Sequence, residues 1–232
     1  MADLLVCDLG TVPYRDALAL QERVRAARQA GDLADVLLLL EHPPVYTRGR
    51  RSAPGELPMG EAWYAAQGVE VVDTDRGGRV TYHGPGQLVG YPIMAVGDVV
   101  AHLRTMEGAI VAALADQGVS AHARPDEGPD FTGVWVGERK IASLGVHVSR
   151  GVSTHGFAVN VCNDLQPFEW IVPCGLEGVR MTSVARERGD ASNRGLEPFR
   201  AALVPRLAEA WGATARAVGA EALPAGARAP VP

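Results

Sequence analysis

The chain has 232 residues, a net charge of −5 and 47% hydrophobic residues. That length suits one large domain or two small ones with a sizeable core, and the acidic balance argues against broad nucleic-acid binding. Asp3 and Asp8 stand where a secretory signal carries basic residues and then an apolar run, and the longest aliphatic run, residues 36–40, is far too short to span a bilayer, so a cytoplasmic protein without membrane contact is expected.

Cys7 follows apolar residues in a first strand. Residues 14–30 read as a helix, with Ala17, Leu20, Val24 and Ala27 at helical spacing and Gly31 as its stop. Residues 36–40 read as a buried strand ended by Pro43 and Pro44. Residues 46–58 form a basic loop, residues 61–67 a short helix and residues 69–72 a short strand. Residues 77–95 predict two strands around a tight Gly84-Pro85-Gly86 turn. Asp98 caps a helix that runs to Gln117, with Val99, Leu103, Met106, Ile110 and Leu114 on one face. Residues 132–161 read as consecutive antiparallel strands, turning at 137–139 and near 150–151. Residues 196–211 form a last amphipathic helix containing Pro205. The folded body is drawn at residues 1–212, and the Ala/Pro/Gly-rich segment 213–232 is expected to be a tail, disordered at its end. Helices scattered among hairpin-linked strands predict an α/β (α+β) class: a mixed, largely antiparallel sheet flanked by helices.

Three cysteines, Cys7, Cys162 and Cys174, are widely and unequally spaced, which suggests neither a disulfide framework nor a zinc knuckle. Cys7 and Cys162 read as structural. Cys174 differs, sitting between Pro173 and Gly175 in a loop-like segment, and from the residues alone it is either a structural or a reactive thiol. Of 22 basic residues 21 are arginine, and Lys140 is the only lysine. Either Lys140 is simply the last position left unconverted, or it does what arginine cannot, which is to give up a proton.

Several chemistries are set aside. The string 84–90 is not G-x-G-x-x-G and lies between strands, so a dinucleotide site is not expected. No phosphate-binding G-x-x-x-x-G-K-[ST] occurs. Residues 141–145 lack the first glycine of a nucleophile elbow. The six histidines are dispersed without H-E-x-x-H, so no metal is expected, and no cofactor either.

One string carries the chemistry. Residues 76–91 run Arg-Gly-Gly-Arg-Val-Thr-Tyr-His-Gly-Pro-Gly-Gln-Leu-Val-Gly-Tyr. Adjacent glycines let backbone approach a ligand, and strand alternation places Thr81 and His83 on one face. It resembles the signature of the lipoate-protein octanoyltransferase family, R-G-G-x-x-T-aromatic-H-x-x-G-Q-x-V-x-Y, at every specified position. Residues 41–51, residues 137–146 around Lys140, and Pro173-Cys174-Gly175-Leu176 with Thr182-Ser183 resemble three further family segments, and together the similarity covers roughly residues 5–211. Arg48 departs from the pattern at a position expected to be apolar, which bears on loop packing.

The resemblance implies a biotin/lipoate protein ligase-like catalytic domain. It implies an acyltransferase that moves an octanoyl or lipoyl group from an acyl-carrier-protein thioester to the lysine of lipoyl domains, those of 2-oxoacid dehydrogenase E2 subunits and the glycine cleavage H protein. Cys174 corresponds to the acyl-accepting nucleophile, and Lys140 to the residue that lowers its pKa. Arg76, Gly77, Gly78 and Arg79, followed by Val80, Thr81, Tyr82 and His83, correspond to one wall of the acyl pocket. Ser143, Leu144 and Gly145, and Gly156, Phe157 and Ala158, correspond to two further substrate-contacting stretches. His83 either contacts substrate or holds the turn; Tyr91, Trp135 and Trp170 read as packing residues. Backbone N–H groups near Gly145 or Gly175 are candidate oxyanion donors. Arg48, Arg50 and Arg51 are either a solvated surface or a docking site for an acidic carrier. The physical chemistry agrees with a thiol nucleophile: thioester exchange is nearly isoenergetic, and a nearby ammonium favours the thiolate. The rivals are an ATP-dependent ligase of the same fold and a non-catalytic acyl-binding module.

Overall fold

The computed structural model describes residues 2–172, 178–189 and 195–224. The chain opens with β1 (Ala2–Thr11) and α1 (Tyr14–Ala30), whose Ala17, Leu20 and Val24 pack against Leu5, Cys7 and Leu9 of β1. β2 (Asp35–Glu41) carries the aliphatic run; β3 (Val45–Arg48), α2 (Glu61–Ala66), β4 (Glu70–Asp73) and β5 (Thr81–His83) follow. Next come β6 (Gln87–Ile93), α3 (Val99–Asp116) and β7 (His122–Ala123). β8 (Gly133–Val136), β9 (Arg139–Ser149) and β10 (Val152–Asn160) form the antiparallel run. β11 (Arg180–Met181), α4 (Val184–Arg188), α5 (Glu197–Ala210) and β12 (Ala213–Ala217) complete the described chain.

The main sheet has the order β12-β1-β2-β6-β10-β9-β8-β7. Its β12–β1 and β1–β2 pairs are parallel; the remaining pairs along that order are antiparallel. β11 pairs in parallel with β9 at Arg139 and Lys140, past the point where β10 has left that side. Both faces of this sheet are covered. Leu37 and Leu39 of β2 join a core with Met106, Ile110 and Leu114 of α3 and with Phe199, Leu203 and Leu207 of α5. Val36, Leu38 and Leu40 point the other way, toward α1. A strand buried on both faces reads as a continuous apolar run rather than an alternation, and each buried leucine contributes roughly 1.5–3 kcal/mol relative to exposure. α3 starts where the Asp98 carboxylate accepts the N–H groups of Val100 and Ala101.

A second sheet, β4-β3-β5, stands beside the first. Tyr46, Val80 and Tyr82 pack there with Tyr64 of α2 and with Phe168 and Ile171. The segment from residue 46, expected as loop, thus begins in a strand: β3 is held on both edges, by β4 and by β5. The strands around Gly84-Pro85-Gly86 do not form a hairpin. β5 pairs with β3 in the small sheet and β6 with β2 and β10 in the large one, so the turn carries the chain between sheets. Gly86 is captured there by distant partners, its N–H donating to Glu41 Oε2 (2.6 Å) and its carbonyl accepting from Cys162 N (3.0 Å).

The chain after residue 212 continues the sheet. Residues 213–217 form the edge strand β12 in register with the start of β1, and Leu223 is buried against the α1 side of the sheet. Residues 225–232, the expected disordered end, lie outside the described residues, as does Cys174. Among the described residues no helix is long and apolar enough to cross a membrane.

Candidate active site

A pocket of about 560 Å³, counting its open mouth, lies between the two sheets. Most of its walls come from the 76–83 segment, the paired strands β9 and β10, and residues 129–132 before β8, and Tyr14, Arg51 and Tyr91 complete the lining. Ser143, Leu144 and Gly145 stand directly opposite Ala158, Phe157 and Gly156 in the β9–β10 ladder, so the two triplets form one continuous floor. The 76–79 loop crosses that floor closely. Gly77 N–H donates to Val146 O at 3.0 Å, and a Cβ at Gly145 would lie 2.7 Å from Gly77 O. Only glycine permits this approach of backbone to backbone.

Within the 76–83 segment, Arg76, Gly78, Arg79, Thr81 and His83 line the pocket. Val80 and Tyr82 point to the opposite side, into the aromatic core around Tyr46 and Phe168, as strand alternation requires. Gly77 acts through its backbone. Arg76 is buried, and Nη2 donates to Thr47 O (2.7 Å), Thr47 Oγ1 (2.8 Å) and Arg79 O (2.8 Å), while Nη1 donates to Gly77 O (3.0 Å). Much of its guanidinium is thus committed to shaping the loop. At the mouth, Arg79 Nη1 pairs with Glu56 Oε1 (2.7 Å), and Asp130 bridges Arg51 (3.0 Å) and Arg79 (3.4 Å). Arg48 pairs with Asp73 and Glu61, which explains the tolerance of a charged side chain there. Of the basic segment 48–51, only Arg50 forms no side-chain ion pair among the described residues, so the patch is less cationic than its sequence suggests.

The deep side of the pocket holds a polar network that includes His83, read from the sequence as either contacting substrate or holding the turn, and Tyr91, read as packing. Burial pushes His83 well below the ordinary histidine value, so its imidazole is neutral. Nδ1–H donates to Gln87 Oε1 at 2.8 Å, which leaves Nε2 as an acceptor facing Thr47 Oγ1 at 3.4 Å. Gln87 in turn donates to Tyr82 O and Asn160 Oδ1. His42, lowered by burial to about 4, donates from Nδ1 to Val12 O and accepts from the Tyr91 hydroxyl at Nε2, each at 2.7 Å. Tyr14 and Tyr91 line the pocket, and burial raises both phenols, Tyr14 to about 12. His155, also lining the pocket, holds φ 58 and donates from Nε2 to Asp75 (2.8 Å); burial lowers its pKa despite that carboxylate. Periodicity marked Tyr91 as buried but carried no sign of which polar partner its hydroxyl meets.

Lys140 lies at the β8 edge of the floor, 1% exposed, and lines the pocket. It faces Trp135 across the β8–β9 pair, with Nζ 5.2 Å from the ring centroid, so Trp135 does more than fill space. The segments flanking Cys174 are fastened nearby. Val172 N–H donates to Glu56 O, Thr182 N–H donates to Lys140 O at 2.9 Å, and Met181 is the register partner of Lys140. Cys7 is fully buried; Cys162 is half-buried, its Sγ 3.7 Å from Gly86 O, and burial raises both thiols. Neither is suited to nucleophilic attack. Trp170 packs edge-to-face on Trp63 and accepts at its carbonyl from Tyr64. Among the described residues no group of three or more His, Cys, Asp or Glu is placed to hold a metal ion.

Residues 13–208 match the lipoyl protein ligase A/B catalytic domain. An octanoyltransferase of Solibacter usitatus is 49% identical over 76% of this chain and 80% of its own length. One from Acidothermus cellulolyticus is 44% identical over 86% of this chain and 88% of its own. A lipoate-protein ligase A crystallised with ATP superposes with a TM-score of 0.77 at 22% identity, covering 98% of this chain and 91% of that one, a likeness of fold alone. With this similarity and the mixed, mainly antiparallel sheet behind the pocket, the chain belongs to the lipoyl protein ligase A/B catalytic-domain family, among the octanoyltransferases, which are acyltransferases.

Proposed function

We propose that the chain transfers an octanoyl group from an acyl-carrier-protein thioester to the lysine of lipoyl domains, through a thioester on Cys174, in the cytosol. The observation that carries this is that the only lysine of the protein opens into the same apolar-floored pocket as His83, Ser143 and Phe157. Cys174 attacks the carrier thioester, a Cys174 acyl thioester forms, and the carrier leaves as thiolate and takes up a proton. The acceptor lysine amine then attacks that thioester, an amide forms, and Cys174 is released as thiolate. The Lys140 ammonium would favour the Cys174 thiolate, and its neutral form would take the proton from the incoming amine. Leu144, Phe157 and Ala158 would lie along the acyl chain, with Arg76 to His83 as the facing wall. The acceptors are lipoyl domains of 2-oxoacid dehydrogenase E2 subunits and the glycine cleavage H protein.

The test is octanoyl transfer from octanoyl-carrier protein to an apo lipoyl domain without ATP, wild type against Cys174→Ser. Amide formation that disappears in the variant supports the reading, and mass spectrometry should find the octanoyl adduct on Cys174. Activity that requires ATP and free acid, and survives in Cys174→Ser, would make the protein a ligase.

A further inference from the structure

The place of Lys140 depends on what Gly133 lacks. A Cβ at Gly133 would lie 2.5 Å from both Ala142 O and Lys140 Cε and 3.2 Å from Lys140 Nζ. Gly133 also holds φ 148, where side chains are disfavoured. Its N–H donates to Glu107 Oε1 at 2.7 Å. Glu107 belongs to α3 and is 1% exposed. Its neighbours Met106, Ile110 and Ala113 fill the apolar core, so a carboxylate here is out of keeping with its surroundings. A buried charge persists where it is paired and its lone pairs are used. Glu107 meets both conditions: Oε2 pairs with Arg104 Nη1 at 2.5 Å and Oε1 takes the Gly133 N–H.

Beyond Gly133 the strand changes register between Val134 and Trp135, and this irregularity sets the indole opposite Lys140. Trp135 is fixed by its own Nε1–H to Phe131 O (3.0 Å) and by Arg124, whose Cζ lies 4.4 Å from the ring centroid. Lys140 is therefore bounded by Gly133 and by an indole that follows Gly133 in the same strand. The start of that strand is tied to α3 through one carboxylate oxygen.

We propose that Glu107 is a positioning residue for Lys140: by holding Gly133 N–H it sets β8 so that Gly133 and Trp135 aim the ammonium into the pocket. The role in catalysis rests on the transfer reading above; the placement does not.

A single lysine makes the placement directly readable. In protein labelled only with 13C-lysine, one Cε–Hε signal is expected, moved from the free-lysine position by the ring current of Trp135. Glu107→Gln, whose side-chain oxygen still accepts from Gly133, should keep both the signal and wild-type kcat. Glu107→Ala should move the signal toward free lysine and lower kcat for octanoyl transfer by roughly 10- to 100-fold, leaving KM for the octanoyl carrier unchanged. Gly133→Ala, whose methyl meets both Ala142 O and Lys140 Cε at 2.5 Å, displaces strand and lysine together with Glu107 in place and should move the signal the same way, while Glu107→Leu, which fills the site without an acceptor, carries the test where Glu107→Ala does not fold. Unmoved signals in these alanine and leucine variants overturn the proposal, as does Glu107→Gln behaving like Glu107→Ala. A wild type without transfer activity but with a signal that moves in the alanine variants would sink the transfer reading and leave the placement standing.

Discussion

Asp75 accepts a hydrogen bond from His155 Nε2 at 2.8 Å, joining residues 80 positions apart, with His147 Nε2 a further contact of Asp75 at 3.5 Å. The His155 hydrogen bond is the main cause holding the Asp75 carboxyl down to about 2, below its ordinary 3.8. A carboxylate depressed in the folded state contributes stability above its unfolded pKa, and that contribution is lost as pH falls through the folded value. The Asp75 contribution should therefore disappear between about pH 4 and pH 2. Asp75→Ala should remove it and leave His155 Nε2–H buried without an acceptor, at a cost of about 1–3 kcal/mol at pH 7. Urea unfolding at pH 7 and pH 3 tests both halves: a variant as stable as wild type at pH 7 would deny the pair a structural role.

Histidines set the other end of the acid limb. His42 and His102 are each lowered to about 4, chiefly by burial, and His83 and His155 are lowered as well. Between about pH 4 and pH 6.5 the unfolded chain binds protons that the native state refuses, so stability rises with pH across that window. His42 alone accounts for about 3 kcal/mol of stability change across this window. His102 offers the cleaner variant. Its Nε2 is buried without a hydrogen-bond partner among the described residues, and its ring stacks on Trp211, centroids 6.0 Å apart. His102→Phe keeps the stacking and removes the orphaned nitrogen. It should stabilise the protein by about 1 kcal/mol at pH 7 and flatten the slope between pH 4 and pH 6.5. A lower melting temperature together with an unchanged slope would count against this account.

Gly145→Ala tests the pocket wall. The added methyl meets the Gly77 carbonyl at 2.7 Å, and the obstacle is backbone. The 76–79 loop must lift from β9, breaking Gly77 N–H to Val146 O. Overpacking of this kind costs about 1–3 kcal/mol. Transfer assays should show a raised KM for octanoyl carrier, and hydrogen exchange at Gly77 N–H should accelerate. Wild-type KM with wild-type exchange would mean that the loop does not define the pocket.

The rim arginines should differ in their effect on carrier docking. Arg48 is neutralised by Asp73 and Glu61, whereas Arg50 is exposed and forms no side-chain ion pair among the described residues. If an acidic carrier docks here, Arg50→Ala should raise KM and weaken its salt dependence, while Arg48→Ala changes KM little. Equal effects from both substitutions, or from neither, would place the docking surface elsewhere.

Much of the architecture was legible because its causes are local. The α1 stop at Gly31, the Asp98 cap on α3 and the turn between β8 and β9 follow from side-chain chemistry within a few residues. The turn at residues 84–86 was legible but the pairing of its strands was not, because a turn reveals a change of direction and not the partners of its strands; Glu41 and Cys162 bind Gly86 from far along the chain. β12 was unreadable in an Ala-Thr-Ala-Arg-Ala segment because what makes it a strand is the exposed edge of β1.

By its residue types alone the chain determines the Gly-rich string around Thr81 and His83, the single lysine among arginines, and the family to which these belong. What only the tertiary structure decided is which of those side chains share a space. The β9–β10 register sets Ser143 against Ala158 and Gly145 against Gly156, and the crossing of Gly77 over Gly145 closes the pocket above them. The contact of Glu107 with Gly133 joins a helix to the strand that borders Lys140. Spacing along a chain encodes the face of a strand or helix, whereas contact between elements is set by packing all of them at once.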